Sequence, residues 1–156
     1  MENYKKVWKY HYQKRSYHLL LKDLSFFRFH YIDDNVNFEY LHCPFNLKEI
    51  FLEIEDPEEI VPTPIRYDYN PQSFSPIVHP VGHIHIGIKN SIRIGTHCQF
   101  NPLSFLLFCL RQMYPDYWKI ILENVNFTKC QKHIRKKIDK IENKYKEAFE
   151  REHIIT

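Results

Sequence analysis

A chain of 156 residues that is 44% hydrophobic and 16% aromatic, with only 3 glycines, has ample apolar surface for one packed domain and too little length for two ordinary ones. That composition excludes a disordered chain. The net charge of +3 conceals an asymmetry: residues 1–30 carry seven basic against two acidic groups, and residues 31–62 one basic against nine acidic.

In chain order, residues 3–24 read as an amphipathic helix, with Tyr4, Val7, Trp8, Tyr17, Leu20, Leu21 and Leu24 recurring between lysines and arginines. Its basic face carries Lys5, Lys6, Lys9, Lys14 and Arg15 beside tyrosines that could stack on bases, so this helix is expected to contact RNA or an acidic partner surface. Residues 26–41 then alternate as a β-hairpin around the turn-forming Asp33-Asp34-Asn35. The acidic stretch 47–60 fits a strand or a short helix. Residues 65–69, bracketed by prolines, form a strand with Arg66 and Asp68 on one face.

Next comes His79-Pro80-Val81-Gly82-His83-Ile84-His85-Ile86-Gly87, with Arg93 and His97 close behind. Alternation over 83–88 predicts a strand that points His83 and His85 to one side and Ile84, Ile86 and Ile88 to the other. A helix is expected over 102–114, starting at Pro102, and a lysine- and glutamate-rich one over 129–152 with Ile134, Ile138, Ile141, Tyr145 and Phe149 as its apolar stripe. Together these elements predict an α+β fold in one domain spanning 1–156, a mostly antiparallel sheet covered by N-terminal and C-terminal helices.

Cys43, Cys98, Cys109 and Cys130 form no C-x-x-C pair, which removes support for a zinc ribbon or a thioredoxin-like redox site and leaves buried free thiols. The longest apolar stretch, Leu103 to Leu110, is far short of the ~20 residues of a spanning helix, and MENYKKVWKYHYQKR has no apolar signal core. A cytoplasmic protein is expected, with no membrane partner.

The motifs Ile65-Arg66-Tyr67-Asp68, His79 to Gly87, Ser91-Ile92-Arg93-Ile94, Asn101-Pro102-Leu103-Ser104-Phe105 and Met113-Tyr114-Pro115 resemble, in order and spacing, the bacterial family filed as domain of unknown function 2290. The resemblance covers about residues 25–120. It implies a stand-alone bacterial protein, in some members from a mobile or defence-related setting, and it implies no activity.

The chemistry is read from the residues. Two imidazoles on one face can take a proton from the 2'-hydroxyl of RNA and give one to the leaving oxygen, while arginine steadies the phosphate charge. The expected function is therefore a small RNA-directed phosphodiesterase of toxin or defence type, a metal-independent ribonuclease. His83 and His85 would transfer protons, Asp68 would orient an imidazole, and Arg66 and Arg93 would bind phosphate. No cofactor is expected; a metal at His79, His83 and His85 is the minority reading. Two alternatives remain open: histidines that simply pack within a sheet, and a non-catalytic subunit that binds nucleic acid or docks on a larger protein. Convergence of Arg66, Asp68, His83, His85 and Arg93 in one open cleft would favour the enzyme.

Overall fold

The computed structural model describes residues 1–52, 54, 55, 58–76, 78–89, 92–124, 126, 127, 129, 132, 139–142 and 145. Its centre is a six-stranded antiparallel meander in which each strand pairs with the next along the chain: β1 (Leu19–Leu20), β2 (Phe26–Ile32), β3 (Asn35–Leu41), β4 (Ile65–Tyr69), β5 (Gly82–Ile86) and β6 (Ile92–Gly95). The fold is α+β.

The hairpin forms where the alternation places it. Asp33 and Asp34 are the two-residue loop between the paired Ile32 and Asn35, and Asp33 takes the left-handed conformation (φ 53°) that a tight hairpin turn requires. Strand β5 ends at Ile86 rather than at residue 88 because Gly87 turns the backbone to φ 86°, which side-chain-bearing residues rarely adopt. Gly82, at the other end of β5, is required for space: a Cβ there would lie 2.7 Å from Thr96 Oγ1 and 3.1 Å from the Tyr67 hydroxyl oxygen.

One face of the sheet is apolar. Phe27, Phe38, Tyr40, Ile65, Tyr67 and Ile84 project from it and are buried, and helix α3 (Pro102–Met113) covers them with Phe105 and Cys109. This helix begins where Pro102 predicts. Asn101 Oδ1 accepts from the Ser104 N–H at 2.9 Å while Ser104 Oγ accepts from the Asn101 N–H at 2.9 Å, a reciprocal cap on the first turn. Helix α4 (Pro115–Leu122) follows directly.

The N-terminal helix is shorter than periodicity predicts. Helix α1 spans Glu2–Gln13 and the chain breaks away through Arg15 at φ 53°, after which Leu19 and Leu20 pair as β1 with Phe27 and Phe26. The leucines at 19–21 are helix formers, but strand pairing to the hairpin satisfies both their backbone and their apolar side chains. Helix α1 packs on the second face of the sheet, at one end only, where Trp8 meets Phe26, Leu41, Cys43 and Phe45. The acidic stretch resolves as a short helix, α2 (Leu47–Phe51), capped by the Asn46 side chain.

The helix expected over 129–152 is corrected in part. Asp139–Lys140 is a strand, β8, paired with β7 (Cys98–Gln99), and the Ile141 N–H donates to the His97 carbonyl. Ile141 is buried in the main core, so its apolar character serves packing from an extended segment. Ile134, Ile138 and Phe149 lie outside the described residues. Among the described residues, no helix is long and apolar enough to cross a membrane.

Candidate functional site

The second face of the sheet is polar because β2 to β5 each alternate, and antiparallel pairing aligns their polar residues into two rows. Arg28 pairs with Glu39, Glu39 with Arg66, Arg66 with His85, and His85 with Arg93. In the second row His30 pairs with Asn37, Asn37 with Asp68, Asp68 with His83, and His83 with Gly95. Partners across neighbouring strands stand about 5 Å apart, close enough for side chains to act together.

Asp68 is the hub. Arg66 Nε donates to Asp68 Oδ2 at 2.8 Å, and Asn37 Nδ2 donates to Oδ1 at 2.6 Å. His85 Nε2 lies 3.5 Å and His83 Nε2 3.8 Å from the same Oδ2. Both imidazoles are almost wholly buried, 2% and 3% exposed for His83 and His85. The His83 ring sits edge-on to those of His79 and His85 at 4.7 and 4.8 Å between centroids.

The protonation of His83 follows from its neighbours. Its Nδ1 lies 3.0 Å from the Pro80 carbonyl oxygen, which can only accept, so Nδ1 carries the proton and Nε2 of the neutral ring presents a lone pair toward Asp68. Burial pulls the His83 pKa down to about 4, against the opposing pull of the Pro80 carbonyl and Asp68; His85 and His79 add smaller depressions.

These groups line a pocket of about 310 Å³ that also receives His30, Asn35, Ser73 and His79. All five residues singled out by sequence, Arg66, Asp68, His83, His85 and Arg93, border it. His97 is exposed and does not. Asn37 and His30 belong to the pocket and were not singled out by sequence. The signal for both was present in the alternation of 26–31 and 36–41, which puts Arg28, His30, Asn37 and Glu39 on the non-core side of the hairpin.

The N-terminal helix offers less to a partner than its sequence promises. Lys5 pairs with Glu59, Lys6 with Glu2 at 3.5 Å, and Lys9 sits over the Phe45 ring at 5.1 Å. Lys14 and Arg15 are exposed just beyond the helix. The aromatic residues do not form a stacking platform: Trp8 is buried, Tyr12 stacks on it at 4.9 Å, and the Tyr4 hydroxyl donates to the His42 carbonyl at 2.7 Å. Trp8, Tyr4 and Tyr12 thus serve packing, whereas Tyr10 is strongly exposed.

A pH dependence of stability follows from this inventory of histidines. Burial depresses His42, whose Nδ1 accepts from the Thr63 N–H, and burial followed by the Arg28 guanidinium depresses His11 and His30. The unfolded chain takes up protons near pH 6.5, whereas the folded chain resists them until lower pH. Stability is therefore complete above about pH 6.5 and lost as pH falls through the folded values. Melting temperatures recorded from about pH 7 down to about pH 5 are expected to fall continuously; a flat profile would contradict the assignment of neutral buried imidazoles.

No curated protein and no solved structure matches this chain. A family match extends well beyond the motif-bearing segment 25–120, taking in helix α1 and most of the C-terminal segment. With residues 1–151 matched, the chain belongs to the family described as uncharacterized conserved protein (DUF2290).

Proposed function

We propose that the protein is an RNA-directed phosphodiesterase acting in the pocket of the polar sheet face. The observation that supports this reading is the convergence of Arg66, Asp68, His83, His85 and Arg93 around one open cavity of about 310 Å³. That volume lies within the range of small-ligand sites and admits a phosphodiester with an adjoining sugar.

The row Arg66, His85, Arg93 gives the cavity a phosphate seat. With His85 on the strand between them, the two arginines stand roughly 10 Å apart at their backbones, and a phosphate held by both lies over the imidazole. Arg66 is steadied by its Nε bond to Asp68, which leaves its terminal nitrogens as the fork toward the pocket. Below that seat stand His83 and His85, the groups placed to handle the protons of the attacking hydroxyl and the leaving oxygen. RNA is the favoured substrate because its 2'-hydroxyl lies adjacent to the phosphate and supplies the nucleophile.

Incubating the purified protein with an end-labelled single-stranded RNA pool of mixed sequence tests the reading. Cleavage is expected, and Arg93→Ala is expected to slow it by about 10- to 100-fold at nearly unchanged melting temperature, since Arg93 is exposed. Absence of cleavage by the parent protein across pH and added divalent ions would reject the enzyme. RNA retained without being cut would instead assign the pocket to a binding subunit.

A further inference from the structure

We infer that Asp68, His83 and His85 form a binding site for one divalent transition-metal ion of the zinc type. One donor atom from each residue lies within 4.8 Å of the other two. The Asp68 Oδ2 separations from the two Nε2 atoms, 3.5 and 3.8 Å, are too long for good hydrogen bonds. They are close to the edge of a ligand tetrahedron, about 3.3 Å for metal–ligand bonds of about 2.0–2.1 Å. The third separation, between the two histidine donors, is at most 4.8 Å, so side-chain rotations that shorten it by up to about 1.5 Å bring the three donors onto one ion.

The surroundings fit ligands rather than a hydrogen-bonded triad. His83 is fixed by its Nδ1–H bond to the Pro80 carbonyl, the second contact that metal-bound imidazoles generally make, and this bond aims the Nε2 lone pair at the proposed centre. That lone pair faces a carboxylate oxygen, a repulsive arrangement that a cation between them converts into two bonds. Asn37 orients the carboxylate through Oδ1, leaving Oδ2 turned to the histidines. The rings are buried yet line the pocket, so water or substrate can take the remaining coordination position.

The donor set also selects the ion. Two imidazoles with one carboxylate suit zinc, iron(II), cobalt or manganese, whereas magnesium and calcium prefer oxygen ligands throughout. Arg66 beside Oδ2 weakens the pull of the carboxylate, so the site is a moderate binder. Asp68 thereby replaces His79 in the ligand set suggested by sequence; His79 approaches His83 by its ring and is not among the three donors.

An ion bound here occupies the Nε2 atoms that the proposed function uses for proton transfer, so in the metal-bound protein a coordinated water would take over that role; the test is made on metal binding alone and stands or falls separately from RNA cleavage. Protein stripped with chelator and dialysed is titrated with cobalt(II), read by its visible absorption, and with zinc, read by calorimetry. One ion per chain is expected, together with a rise in melting temperature as the ion saturates the folded state. His85→Ala and Asp68→Ala, each checked for an intact melt, are expected to weaken binding by about 100-fold or more, and His79→Ala to leave it within about threefold. Failure of the parent protein to bind either ion stoichiometrically overturns the proposal without requiring any variant to fold. Binding that survives Asp68→Ala unchanged does so as well.

Discussion

His83→Ala is expected to lower RNA cleavage by about 10²–10⁴-fold while leaving a folded protein. The ring is 2% exposed, is pinned by the Pro80 carbonyl and stands 3.8 Å from Asp68. Both ways of using the imidazole, as proton carrier or as metal ligand, fail together in this variant. The fold loses a buried hydrogen bond and some ring packing, at about 1–3 kcal/mol, which a melt reports as a modest decrease. His83 belongs to the polar face, away from the aromatic core, so the sheet persists. A folded variant that cleaves RNA at the parental rate would remove His83 from the chemistry.

Phe38→Ala has the largest expected effect on stability, about 3–5 kcal/mol. Phe38 is fully buried at the centre of the apolar face, with ring centroids of Phe29, Tyr31, Tyr67 and Phe105 at 5.4, 5.4, 5.9 and 5.8 Å. Those rings come from β2, the hairpin partner of Phe38's own strand, and from β4 and α3. They are anchored by their own strands and helix and cannot collapse into the void. Against a total of about 5–15 kcal/mol for a domain of this kind, the loss is a large share. Urea unfolding should show a midpoint displaced far below the parent's with little change in slope. A displacement worth less than about 1 kcal/mol would mean that the apolar face is not the main core.

How far the sequence reveals this molecule depends on whether the deciding interactions are local. The hairpin, β4 and α3 were legible because Asp33-Asp34, the prolines around 65–69 and the Asn101-Pro102 start each act within a few residues. The spacing of Arg66 with Asp68 and of His83 with His85 put each pair on one face, which fixes half of the pocket. The other half depends on register between strands distant in sequence: that Asn37 reaches Asp68, and that Asp68 stands opposite His83, is decided by which residues of β3, β4 and β5 pair. The packing of helix α1 is hidden for the same reason: Phe26, Leu41 and Phe45, which share a cluster with Trp8, Tyr4 and Tyr12, are distant from it in sequence. At the C-terminus, the helical pattern of the sequence is overridden at Asp139–Lys140 by pairing with Cys98–Gln99.

The two polar rows have a consequence for how the chemistry comes into being. No strand contains a working set of groups; β3 supplies the amide, β4 the carboxylate and one guanidinium, β5 the imidazoles and β6 the second guanidinium. Slipping the β4 or β5 pairing by one residue turns that strand's contribution toward the apolar core and brings a tyrosine or isoleucine to the pocket in its place. A chain that lacks any one of these pairings therefore lacks part of the pocket, and its set of polar groups is complete only when β3, β4, β5 and β6 are all in register.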